Sequence, residues 1–193
     1  MGEKVKNTSQ AERILNAAFR CISEKGYANV SSRDIANEAG VALSQLNYYY
    51  KNKEGLFKKV IEMLFKKYFN EIENNLKKGT TKSESSVYLI KYFKETLIKK
   101  PELFKIFFDL TSMALWSESL KKFLKDLFDS LAKLIEKYIV NDSIKYENLK
   151  SCSPSSLSRL ILGTLFGTSI QLMMTDKKEE CLNTLSTLEL ILS

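Results

Sequence analysis

Apolar residues recur at helical spacing along almost the whole chain, and no stretch alternates apolar and polar residues as a half-buried strand would. The pattern predicts an all-α protein. Ser9 and Glu12 form a capping box that opens a first helix, which turns Ile14, Ala18, Phe19 and Ile22 inward and stops at Gly26. A second box from Ser31 to Asp34 opens a short helix with Ile35, Ala36 and Ala39 inward, closed by Gly40, and a third short helix covers 43–49. Asn52 caps a long fourth helix reaching residue 78, with Leu56, Val60, Leu64, Tyr68, Ile72 and Leu76 in one stripe. At ~1.5 Å per residue it spans on the order of 37 Å, enough to join a small head to a separate body.

Gly79, Thr80 and Thr81 interrupt the pattern, after which helices are expected over 83–99, from Pro101 onward, and over 118–140. The polar stretch 141–153 reads as a loop. Ser153 caps an eighth helix with Pro154 in its first position, and a ninth covers 177–192. No internal repeat or low-complexity segment appears.

Composition narrows the chemistry. Histidine is absent from the 193 residues, which excludes His-based triads and zinc sites and removes the commonest general base. Cys21, Cys152 and Cys181 are odd in number and widely spaced, so they read as free thiols. The opening residues are polar and no apolar run approaches the ~18 residues of a membrane span, so a cytoplasmic protein without membrane attachment is expected. The net charge of +7 leans toward a polyanionic partner, and residues 1–60 carry ten basic against six acidic side chains. If nucleic acid is the partner, the N-terminal head should touch it.

Two short helices separated by a tight turn at Gly40 fit a helix-turn-helix. Ile35, Ala36, Ala39, Val41 and Leu46 can form its small core. On the opposite face Ser44, Gln45, Asn47 and Tyr48 can reach base edges or phosphates, and Leu43 can pack on a thymine methyl. Gln45 and Asn47 both suit bidentate pairing with adenine; the alternative is that they are merely solvated. Ser32 and Arg33, at the positive end of the second helix, are candidate phosphate clamps.

Residues 40–57, GVALSQLNYYYKNKEGLF, resemble the TetR-family pattern of Gly-Val, variable residues, Leu, an aromatic cluster and Lys-Glu-x-Leu. The upstream AERILNAAFRCISEKGYANVSSRDIANEAG resembles the first two helices of the same family, so the likeness covers residues 9–60. It implies a nine-helix, two-domain architecture: a DNA-binding head over 8–68 and a ligand-binding and dimerisation body over 69–193. It also implies that Tyr48, Tyr49 and Lys53 contact the DNA backbone, with aromatic packing as the alternative for the tyrosines, and that Tyr50 is core. Two departures stand out. Ala42 occupies the usual Ser or Thr cap of the third helix, and Asn47 a frequent Tyr.

The eighth helix is apolar on more than one face. Family resemblance turns this toward a two-fold interface with a second copy, made by Leu160, Gly163, Leu165, Phe166, Gly167, Ile170, Leu185 and Leu188; the alternative is an ordinary core helix. Aromatics crowd the middle helices, and the resemblance implies a small-molecule pocket among Phe65, Tyr68, Phe69, Tyr92, Phe107, Phe108, Met113 and Trp116. Asp109 is either a counter-charge for a cationic ligand or a solvent-facing residue. The function implied is a ligand-responsive regulator that binds a palindromic operator as a homodimer, needs no cofactor or metal, and is a repressor released by its ligand. A helical interaction module that no longer binds DNA is the alternative. A helical enzyme would need a Lys, Cys or carboxylate site, and no such constellation stands out.

Overall fold

The structure is a computed structural model that describes residues 9–140 and 152–192. Among the described residues the chain forms nine helices and no strand: α1 (Gln10–Lys25), α2 (Ser32–Ala39), α3 (Leu43–Tyr49), α4 (Lys53–Leu76), α5 (Lys82–Lys99), α6 (Pro101–Ala114), α7 (Glu118–Tyr138), α8 (Pro154–Met174) and α9 (Lys178–Leu192). The all-α expectation holds. The stretch expected to be a loop lies outside the described residues up to position 151.

Local chemistry sets the boundaries. Ser9, Ser31 and Thr81 each accept a backbone N–H through the side chain while the acid three residues on reaches back, so α1, α2 and α5 all start on complete capping boxes. Gly40 ends α2 in the left-handed region at φ +65°, where a Cβ would be strained. Gly79 is needed for a different reason: a Cβ there would lie 2.4 Å from the Ser85 nitrogen. That close approach lets the Ser85 hydroxyl donate to the Leu76 carbonyl at 2.9 Å, closing the corner between α4 and α5.

Two apolar cores result. The first joins Ile14, Ile22, Ile35, Leu46, Leu56 and Phe57 of the N-terminal helices to Ile106, Leu110 and Leu120 of α6 and α7. The second joins Leu76, Ile90, Ile135, Ile161, Leu165, Leu185 and Leu192 across α4, α5, α7, α8 and α9. The expected stripe of α4 is divided accordingly. Leu56 and Val60 are sealed in the first core and Leu76 in the second, whereas Leu64, Tyr68 and Ile72 face a cavity between them.

Helix α8, 21 residues long, is by length and mean hydropathy apolar enough to cross a membrane. Its apolar residues serve two directions: Leu157, Ile161, Leu165 and Leu172 are buried, and the opposite side is open.

Candidate nucleic-acid interface and apolar cavity

Helix α3 is anchored by Leu46, which is fully buried, and by half-buried Leu43, packed against the first core. Leu43 is therefore divided between the first core and solvent, unlike its exposed neighbour Ser44. Ser44, Gln45, Asn47 and Tyr48 all lie on the exposed side, with Tyr48 84% exposed. Its phenol is thereby free to donate to a group outside the chain. Tyr49 stands edge-on to Tyr48 at 5.3 Å and donates a 3.3 Å hydrogen bond to Gln10, while Tyr50 donates to the Ala11 carbonyl.

Ala42 offers α3 no side-chain cap, and Gln45 partly makes up for it. Its side-chain oxygen accepts the Ala42 N–H at 3.1 Å. At the start of α2, Arg33 is exposed and Ser32 half-buried. The helix end itself is occupied: Asp34 accepts the Ser31 hydroxyl at 2.6 Å and the Ser31 N–H at 2.7 Å, and these bonds hold its carboxyl below the usual range. An anion approaching this end meets Arg33 beside a carboxylate rather than a bare positive terminus.

Lys53 is half-buried rather than free. Its ammonium donates to the Tyr27 carbonyl and stands 4.1 Å from the centre of the Tyr27 ring. Burial pulls its pKa down, against the nearby charges of Asp109 and Asp34. Arg13, which sequence reasoning passed over, donates a 2.8 Å bond to the Ala39 carbonyl and so ties α1 to the end of α2. Nothing in its local sequence separates it from any surface arginine on α1.

The cavity between the two cores measures about 150 Å³. Five of the expected residues line it: Phe65, Tyr68, Phe69, Tyr92 and Phe107. Three do not. Phe108 packs into the second core, Met113 packs against the first, and Trp116 is 90% exposed beyond the end of α6. Sequence reasoning missed Phe93, Phe104, Phe128 and Phe166 in the wall, where Phe107 and Phe166 stack at 4.5 Å. Two of its polar groups are internally satisfied: burial and the 2.9 Å hydrogen bond that Tyr92 donates to Glu71 push its phenol far up, and Thr96 donates to the Tyr92 carbonyl. An apolar cavity of this size is suited to a lipophile rather than to ordered water.

Asp109 is neither a counter-charge in this cavity nor a solvent-facing residue. It accepts the Tyr27 N–H at 2.7 Å.

The expected self-association residues fall on two sides of the body. Leu165, Leu185 and Leu188 are buried within the chain's own second core, and Phe166 faces the cavity. Leu160, Gly163, Gly167 and Ile170 point outward, joined by Met174 of α8 and Leu190 of α9, both strongly exposed. A Cβ on Gly163 or Gly167 would meet nothing within 4 Å. This outward stripe repeats every three to four residues, so it forms one face of α8.

Residues 14–60 match the family described as bacterial regulatory proteins, tetR family. A probable transcriptional regulator of the helix-turn-helix type from Bacillus subtilis, YttP, is 28% identical over 75 residues, which are 39% of this chain and 36% of that protein. The fatty acid metabolism regulator protein of the same organism is 30% identical over 82 residues, 42% of each chain. The matched stretches thus span well under two thirds of these curated relatives. The whole fold is shared with the crystal structure of the transcriptional regulator FadR from Bacillus subtilis in complex with stearoyl-CoA, at a TM-score of 0.71 and 21% identity, over 94% of this chain and 97% of that one.

Proposed function

We propose, from the likeness of residues 14–60 to the TetR family of bacterial regulatory proteins, that the chain is a ligand-responsive DNA-binding transcriptional regulator, a repressor released from a palindromic operator by a small molecule. The observation that carries this reading is the exposed face of α3. Ser44, Asn47 and Tyr48 stand clear of the body on a helix whose other side is fixed by Leu46. A helix presented this way fits the major groove, where such side chains meet base edges and phosphates.

The remaining parts fit the same role. The outward stripe of α8 supports a homodimer, which a palindromic site requires. The apolar cavity supports a lipophilic ligand, and the stearoyl-CoA bound by the FadR neighbour is of that kind. Head and body are proposed to divide near residue 68, with α6 and α7 closing the head's core from the body's side. The protein acts in the cytoplasm without enzymatic chemistry, cofactor or metal.

Selection of bound duplexes from a random pool tests the reading. Enrichment of a palindrome, bound with an affinity that falls steeply between about 50 and 200 mM salt, is the expected result. Recovery of the pool unchanged would leave a helical interaction module instead.

Lys53 gives a sharper test. Lys53→Ala is expected to weaken binding equally on all sequences and to lower the salt slope by about one, the signature of a single lost phosphate contact. Should the slope stay unchanged while affinity falls, the ammonium acts through Tyr27 and not on a phosphate.

A further inference from the structure

We propose that Asp109, a residue of the body, is a positioning residue for the DNA-reading head, and that it ties the state of the cavity to the turn that orients α2 and α3. The inference rests on the regulator reading above. It starts from a contact between residues 82 apart in sequence: the Asp109 carboxylate accepts the Tyr27 N–H at 2.7 Å in a half-buried setting. Gly26, at φ +77°, brings the turn so close that its Cβ position lies 3.8 Å from the same carboxylate oxygen.

The Tyr27 peptide is gripped from both sides. Its N–H goes to α6 and its carbonyl takes the Lys53 ammonium at the start of α4, while its ring packs on Phe57 with centroids 4.7 Å apart. Tyr27 thus sits where α1, α4 and α6 meet, five residues before α2 begins. A second tie runs parallel: the Ser117 hydroxyl at the start of α7 donates to Glu54 at 3.1 Å. The charged groups facing this junction are Asp109, Lys53, Asp34 and Glu54, so the carboxylate of Asp109 has a cation beside it as well as a donor.

The other end of the lever is the cavity wall. Ile106 and Phe107, three and two residues before Asp109 on α6, both line the cavity. A helix is stiff over one turn, so a ligand that displaces these two side chains carries the carboxylate with them. Hydrogen bonds weaken steeply with a few tenths of an ångström of stretch and with misalignment. Tyr27 is then released, and the reading helices lose one of the ties that position them.

The first test uses Asp109→Ala and Asp109→Asn on the duplex that the unaltered protein selects. Asp109→Ala is expected to bind it about tenfold or more weakly, whereas Asp109→Asn, which keeps an acceptor oxygen, recovers most of the affinity. Amide exchange at Tyr27 should speed up at least about tenfold in Asp109→Ala while the amides of α5 and α9 keep their protection, which a merely destabilised fold would not do. Duplex affinity within twofold of the unaltered protein, or an unchanged Tyr27 amide, overturns the proposal.

A second measurement needs neither DNA nor a variant. With 8-anilinonaphthalene-1-sulfonate bound, its fluorescence reporting occupancy, Tyr27 exchange should rise by a similar factor. Unchanged exchange at saturation overturns the link to the cavity. A protein that selects no duplex but passes this exchange test would lose the regulator reading and keep the junction.

Discussion

Gly167→Glu is expected to yield a monomer in sedimentation and to lower affinity for a palindromic duplex by roughly 10²–10⁴, the gain that linking two half-site contacts supplies. Gly167 stands on the outward face of α8 between Leu160, Gly163, Ile170 and Met174, and its Cβ position is open. The monomer has room for the new side chain, so its own fold should be unaffected. In the proposed dimer this face is covered by the second copy, and a carboxylate buried there among apolar residues has no counter-charge. An intact dimer of this variant would move the interface elsewhere. Leu165→Glu, which sequence reasoning placed on the same face, has a different expected outcome: Leu165 is 3% exposed in the chain's own core, and a charge there unfolds the subunit.

Phe57→Ala is expected to destabilise the protein by about 3–5 kcal/mol, the usual cost of emptying a fully buried aromatic site. Phe57 is completely buried and packs against Tyr27. For a chain of this size, the corresponding fall in melting temperature is roughly 6–20 °C. The form of the transition is as informative as its midpoint. Because Ile106, Leu110 and Leu120 of α6 and α7 share one core with the N-terminal helices, unfolding followed by helical signal and by tyrosine fluorescence should coincide in one transition. Two separated transitions would show that the head melts by itself and that the shared core does not couple it to the body. Loss of thermal stability below about 1 kcal/mol would mean that the site collapses around the missing ring.

Elements legible in the sequence are those fixed within a few residues. The capping boxes at Ser9 and Ser31, the caps at Asn52 and Ser153, and the prolines at positions 101 and 154 mark helix starts through bonds no longer than one turn. The exposed face of α3, Leu43 apart, was legible for the same reason, since a seven-residue helix buried through Leu46 leaves little choice of outward side. What was not legible depends on partners far along the chain. Helix α8 is apolar nearly all round, so its periodicity carries no phase, and Leu165 and Phe166 were placed on the side of a partner they do not face. The segment around Asp109 and Trp116 reads as a continuous aromatic run, yet one residue caps a turn 82 positions away and the other lies bare beyond the end of α6. A cavity is harder still, because it is defined by missing contacts, and Phe93, Phe104 and Phe128 differ from core phenylalanines only in what they fail to touch.

On the proposed reading of α3 against DNA, the bond between Gln45 and the Ala42 N–H bears on which base Gln45 would suit. Adenine is recognised by a side-chain amide that gives one hydrogen bond and takes another, so both ends of the fork must be free. In Gln45 the amide oxygen is held by its own backbone, which fixes its direction, and the NH₂ group is the end with no partner of its own. Such a group offers hydrogens to N7 or O6 of guanine or to O4 of thymine, and it gains from adenine only the single bond to N7. Full pairing with adenine would first strip α3 of its makeshift cap, at a cost of about 0.5–2 kcal/mol by the usual worth of a cap, comparable to the discrimination a good base contact provides. With serine or threonine at position 42 the side chain would accept the Gln45 N–H and complete a capping box, so that α3 would rely less on the Gln45 side chain alone for its start.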